Sequence, residues 1–322
     1  MLSRTRVTIA TLVLALTLGV LAFAPDSPVS AAECAVYVTA PANLNERFRA
    51  APEGAVICLS GTFRVTSSLI PRDGQHIVGP AVIENGGRVE DGFDLSRADH
   101  VGVEGLEIRN FLRRGVKCGI GTQVLGSMIH HNRQNAVGCS LRNRSASGVL
   151  VAENQIYNNG VGTLEGNTAG GMKFVRSGKP GDVPGSAVTV RDNLIWANVG
   201  NGIWFDINSA GDLISGNEIW GNTRNGIRYE ISAGPAVIRG NIVHDNRWYG
   251  IWLTSSAKVK VLANTSINNG RNDITIMSDE RARLTFPALG RNHDGYKIVD
   301  IDVYDNVTTK QLSGCSLKNV AC

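Results

Sequence analysis

Two acidic residues hold the same place in consecutive copies of a short motif. Asp206 closes Gly202-Ile203-Trp204-Phe205-Asp206, and Glu230 closes Gly226-Ile227-Arg228-Tyr229-Glu230, 24 residues later. Two carboxylates at close range cannot both ionise freely, so one proton tends to be shared between them. Such a pair supplies an acid and a base at one pH, which is what glycoside cleavage requires. Glu165 lies on a long insertion before the first motif and is the candidate third acid. Lys173 is positioned to hold an anionic sugar, to pair with Asp206 or Glu165, or to act as a base if its pKa is depressed. Arg228 is suited to gripping a carboxylate, and Trp204 and Trp252 to stacking on sugar rings. Asn208, two residues after Asp206, is placed to orient that acid or to donate to substrate. His130, His131 and His244 fall toward turns and receive no role.

These residues need a scaffold that aligns them, and the chain supplies one. A third copy, Gly250-Ile251-Trp252-Leu253-Thr254, follows after another 24 residues. Asparagines keep the same beat at 193, 217, 241 and 264, and again at 198, 222, 246 and 269. A fixed period of short apolar strands punctuated by Gly and Asn points to a β-solenoid, with the asparagines stacked as amide ladders. Alternation within a strand sends Ile203, Phe205, Ile227, Tyr229, Ile251 and Leu253 inward. The opposite phase would bury Asp206, Arg228 and Glu230 together, which desolvation opposes. Lys173, Trp204, Arg228 and Trp252 then form one outward column, and Val175, Asp206, Glu230 and Thr254 the next. One turn is oversized: Asn154 to Asn193 spans 39 residues. Its surplus falls in two loops flanking the strand at 171–175, one carrying Glu165 and the other Lys179 and Asp182.

The ends and the composition bound the class. Arg4 and Arg6 precede an apolar stretch from Val7 to Ala24, and Val29-Ser30-Ala31-Ala32 offers a cleavage site, so residues 1–32 read as an export signal. The expected location is secreted or extracellular, with no membrane partner after cleavage. Six cysteines then read as three local disulfides: Cys34 with Cys58, Cys118 with Cys139, and Cys315 with Cys322. A net charge of +4 over 322 residues, with no basic run, does not suggest nucleic-acid binding, and no nucleic-acid partner is expected. No zinc-like spacing occurs, and whether another metal binds is left open. Residues 33–75 read as an N-terminal cap with first strands, including a short helix at 43–50, a strand at 54–59 and a turn at Ser60-Gly61. Residues 76–278 read as the solenoid and 279–322 as a C-terminal cap.

The rung signatures Glu165-Gly-Asn-Thr-Ala-Gly-Gly-Met-Lys173-Phe174, Gly202-Ile-Trp204-Phe-Asp206-Ile-Asn208 and Gly226-Ile-Arg-Tyr-Glu230-Ile-Ser232, with the entrance segment Ala51 to Phe63, resemble secreted bacterial repeat proteins of the pectate-lyase-like class. The resemblance covers about residues 40–280 and implies an all-β fold, a single-stranded right-handed parallel β-helix with a cap at each end. By analogy it also implies a polysaccharide or oligosaccharide ligand. Three readings follow. The first is a glycoside hydrolase using Asp206, Glu230 and Glu165, with Lys173, Trp204, Arg228, Asn208 and Trp252 holding substrate and no cofactor required. The second is a lyase on a uronate polymer, with Lys173 as base and a calcium ion bound by the acids. The third is a non-catalytic glycan binder. The chain shows no arginine-centred lyase signature and no acidic calcium nest beyond Asp206 and Glu230.

Overall fold

The computed structural model describes residues 34–141, 145–162, 170–278, 298–310, 312–314 and 320–321. Glu165, Cys315, Cys322 and the expected export signal lie outside the described residues. The chain coils into a right-handed parallel β-helix of about ten turns. A full turn is built from three short strands, as in Asn201–Asp206, Asp212–Ser215 and Glu218–Trp220. The first of these belongs to an eight-stranded sheet that runs from Asp91–Asp94 to Ile274–Met277, every pairing parallel. The other two form the remaining faces and meet at a bend centred on an asparagine, here Asn217.

Those asparagines explain why the coil closes at a constant period. In one ladder Asn154, Asn193, Asn217, Asn241, Asn264 and Asn306 follow each other, each Nδ2 donating to the next Oδ1 at 2.9 Å. In the other, Asn132, Asn159, Asn198, Asn222, Asn246 and Asn269 are linked at 2.9–3.1 Å, and Asp273 Oδ1 terminates the series. Each side chain also binds backbone of neighbouring turns, so polar groups that a sharp bend would orphan inside the coil are satisfied. The interior is a single apolar file. Phe174 stacks on Phe205 with centroids 4.8 Å apart, and Phe205 meets Tyr229 at 5.6 Å. The inward set expected from alternation is fully buried: Ile203, Phe205, Ile227, Tyr229, Ile251 and Leu253.

At the N-terminal end the helix Leu44–Ala50 begins at Asn43, whose side chain accepts from Glu46 N, and buries Leu44 and Phe48. Two details differ from the sequence reading. Ser60-Gly61 is not a turn: the strand Val56–Val65 runs through it. Gly61 accommodates this at φ +92°, where a Cβ would sit 3.2 Å from Ala40 Cβ. Past residue 278, in the segment read as a cap, Val299–Tyr304 pairs in parallel with Ala257–Leu262, and Asn306 prolongs the ladder. Two of the expected disulfides are formed, Cys34–Cys58 and Cys118–Cys139, with Cα–Cα distances of 5.7 and 4.9 Å. Among the described residues no helix is long and apolar enough to cross a membrane.

One buried acid has a stability consequence. Asp212 starts an inward-facing strand position and is fully buried, where Ser177 Oγ donates to Oδ2 at 3.0 Å and Tyr229 Oη lies 3.1 Å away. Burial pushes its carboxyl well above the usual carboxylate range. A folded-state pKa raised above the unfolded one means stability is complete below the unfolded value and declines as pH rises through the folded value. Asp212→Asn should therefore flatten the decline in melting temperature between acid and neutral pH. Parallel Tm-versus-pH curves for the two proteins would contradict this.

Candidate functional site

The expected outward columns are present on the eight-stranded sheet. Lys173, Trp204, Arg228 and Trp252 are register partners on successive strands, as are Val175, Asp206, Glu230 and Thr254. Their surroundings differ from the sequence expectation. They point away from the apolar file, yet Trp204 is 2% exposed, Glu230 4%, Arg228 5% and Asp206 8%. Stacking along the coil is the reason: with strands about 4.8 Å apart, a long side chain covers its neighbours. The column alternates cation and ring. Lys173 Nζ lies 3.4 Å from the Trp204 ring centre, and Arg228 Cζ is 4.8 Å from Trp204 and 4.3 Å from Trp252. Both faces of Trp204 are covered, so it does not offer a face to a sugar ring. Trp252 is half-exposed, as is Lys173.

The two carboxylates are likewise engaged. Asp206 Oδ2 meets Lys173 Nζ at 3.0 Å. Glu230 binds Arg228 Nη2 through Oε1 at 2.5 Å and accepts from Trp204 Nε1 through Oε2 at 3.1 Å. The expected carboxylate pair is thus flanked by cations: Asp206 and Glu230 are register partners on neighbouring strands, and each binds a cation. The same pattern continues toward the N-terminus, where Asp91 pairs with Arg114 at 2.7 Å and Asp94 with Lys117 at 2.9 Å. This donor set does not fit a calcium ion, whose six to eight oxygen ligands must be available. Among the described residues no group of three metal-ligating side chains occurs. Asn208 lies just past the strand in a left-handed turn at φ +60° and bonds through its backbone N–H to Ile231 O.

Beside Lys173 the sheet surface sinks into a cavity of about 250 Å³ lined by Arg113, Arg114, Gln134, Asn135, Ser140 and Lys173, with Gly138 and Val175. Register explains the depression. Gly138 occupies the place held by Lys117 on one neighbouring strand and Lys173 on the other. A Cβ there would meet Arg114 Cδ at 2.7 Å. Among the described residues three cations and no acid line the cavity, and each cation is paired with an acid set behind it: Arg113 with Glu90, Arg114 with Asp91 and Lys173 with Asp206. Burial lowers the Lys173 ammonium below the ordinary lysine pKa, and the Asp206 carboxylate offsets part of that shift. A lysine in this state is a better proton acceptor near neutrality than a surface lysine.

Apart from Lys173, sequence reasoning missed the residues that line the cavity, and it missed a second stack. His130, Tyr157, Trp196, Trp220 and His244 lie face to face along the outside of another face, with centroids 4.5–5.9 Å apart and planes within 12°. The signal was available: in each turn a ring follows an inward Ile or Val, as in Ile195-Trp196 and Ile219-Trp220. The rings cover one another, so this stack contributes packing rather than a sugar platform.

Residues 82–286 match the family described as right handed beta helix region. No curated protein sequence matches significantly. Among solved structures, the mannuronan C-5 epimerase AlgE4 A-module of Azotobacter vinelandii is similar, with a TM-score of 0.62 at 15% identity over 86% of this chain and 84% of that one. Pectate lyase Pel9A gives 0.58 at 16% over 89% and 78%. The periplasmic alginate epimerase AlgG gives 0.57 at 16% over 88% and 82%. At such identities the likeness is one of fold. The family match spans well over half the sequence: the chain belongs to the family of right handed beta helix proteins.

Proposed function

We propose that this chain is a secreted polysaccharide lyase that acts on a uronate polymer, with Lys173 as the base. The observation that carries the reading is the cavity at Lys173, lined among the described residues by the cations Arg113, Arg114 and Lys173 and by no carboxylate. An acidic sugar unit is the ligand such a lining favours. Similar folds named as acting on pectate and alginate support an acidic polymer. The cysteine bridges suit export.

The chemistry balances on one residue. Arg113 and Arg114 draw charge from the sugar carboxylate, which makes the proton on the adjacent C5 more acidic. Lys173 Nζ takes that proton, so the C5–H bond breaks and an N–H bond forms. The released electron pair becomes the C4–C5 double bond, and the C4–O4 bond breaks. Lys173 then returns its proton to O4. Asp206 and the Trp204 face, over which Nζ lies, hold the ammonium in place. The hydrolase reading is the weaker one, because Asp206 and Glu230 each bind a cation.

Incubation with a panel of acidic and neutral polysaccharides, with products weighed by mass spectrometry, tests this. The expected result is unsaturated fragments from an acidic polymer, with no gain of water. Fragments heavier by one water would establish hydrolysis, and binding without any fragments would establish a non-catalytic binder.

A further inference from the structure

Two arginines line the cavity at Lys173, and they are held in different ways. Arg113 is held at one point: its Nη1 meets Glu90 Oε2 at 3.2 Å, and both side chains are exposed. Arg114 is held at two: its Nε and Nη2 donate to the two oxygens of Asp91, at 2.7 and 2.9 Å. Arg114 and Asp91 are both buried. Register sets them side by side, as partners on the adjacent strands Asp91–Asp94 and Arg114–Lys117. The stem of Arg114 crosses Gly138, where a Cβ would sit 2.7 Å from Cδ. Any side chain at position 138 would therefore push the guanidinium off Asp91.

A guanidinium presents its N–H donors in one plane, along a side edge and an end edge. The side edge, Nε–H with one Nη2–H, is given to Asp91. The end edge, Nη1 with the second Nη2–H, is not. Among the described residues nothing accepts from Nη1, and they do not enclose it, so it opens on the cavity that Arg114 lines. The contact with Asp91 fixes the guanidinium plane, so a second carboxylate binds with little further loss of freedom. The same contact offsets part of the charge. Recognition at the end edge then depends on geometry: two parallel N–H···O bonds to two coplanar oxygens. A free carboxylate offers both oxygens and a charge. Its methyl ester offers one carbonyl oxygen and no charge, and a sulfate spreads its oxygens over a tetrahedron.

We propose that Arg114, held side-on by Asp91, is the residue that selects free-acid uronates, gripping one sugar carboxylate with the end edge of its guanidinium. The inference deepens the proposed function and rests on it for the class of polymer. The probes are short oligosaccharides of galacturonate and of alginate, each as free acid and as methyl ester, with a sulfated dextran oligosaccharide as a different polyanion. They are titrated into Lys173→Gln protein, so that elimination does not consume them. The better-bound free acid should exceed its ester by about 10- to 100-fold in affinity, the range for hydrogen bonds to a charged group. Adding Arg114→Lys keeps a charge and loses the fork, and should cut that ratio about tenfold, as for one hydrogen bond lost. Adding D91N/R114Q removes both charges and leaves no unpaired one buried, so the fold should hold and acid and ester should bind alike. Adding Arg113→Gln, at the exposed pair, should lower the ratio only about threefold.

Four results would overturn the assignment: no acid bound more tightly than its ester, an equal loss for acid and ester in Arg114→Lys, a ratio lost as fully in Arg113→Gln as in D91N/R114Q, or sulfated dextran bound as tightly as the best free acid. Thermal melts check each fold, and Arg114→Lys, which keeps Asp91 paired, decides the matter if D91N/R114Q unfolds. Should the wild type yield no unsaturated products while the ratio still depends on Arg114, the role given to Lys173 fails and the carboxylate site stands.

Discussion

Lys173→Gln should lower kcat/KM on the acidic polymer by about 10²–10⁴-fold, the range for loss of a positioned general base. The side chain keeps comparable length, so the fold and the surrounding column should persist. The pH dependence follows from burial. Only the neutral amine accepts a proton, and burial holds the Lys173 pKa below the ordinary lysine value. Activity should rise with pH and reach half its plateau below about 10.4, the value for an unperturbed lysine. Asp206 separates this account from a hydrolytic one. Its carboxylate favours the charged ammonium, so Asp206→Asn should move the rising limb to still lower pH. If Asp206 were an acid or base of glycoside hydrolysis, the same change would lower the plateau by orders of magnitude with no such displacement.

The second large effect concerns the scaffold. Asn222→Ala removes the Oδ1 that accepts from both Asn198 N and Asn198 Nδ2, and the Nδ2 that donates to Ile195 O. All three partners are buried, and each orphaned group costs about 1–3 kcal/mol. The expected loss is about 4 kcal/mol of unfolding free energy by denaturant titration. Gln155→Ala, at an exposed position one residue after ladder residue Asn154, should stay within about 0.5 kcal/mol. A small effect at Asn222 would mean that the ladder decorates the bends rather than holding them.

The fold was legible because it is written in repetition. Asparagines at a constant interval can serve only one purpose in a coil, and their columns placed Lys173, Asp206 and Glu230 on one face without any coordinates. The environment of that face was much less legible. Period and alternation tell which way a Cβ points, and they are silent about rotamers. Trp204 was expected to lie open to a sugar, but Lys173 and Arg228 cover its faces. Asp206 and Glu230 were expected to share a proton, but each found a cation on an adjacent position. The cavity escaped notice because its cause is a missing side chain, Gly138, in a column of long ones. The ring stack from His130 to His244 shares the same period, but its members change residue type from turn to turn, so no single letter repeats to reveal it. At the C-terminal end, a long stretch between Met277 and Val299 hides the period from a reading of intervals, though Asn306 continues the ladder beyond it.

On the proposed mechanism Lys173 removes the proton next to the uronate carboxylate. Comparing an acidic polymer bearing deuterium at C5 with the unlabelled polymer tests it most directly. A slower reaction with the labelled chain in the wild type, together with loss of turnover in Lys173→Gln, is the predicted result. Equal rates for the two polymers, with cleavage persisting in Lys173→Gln, would contradict it.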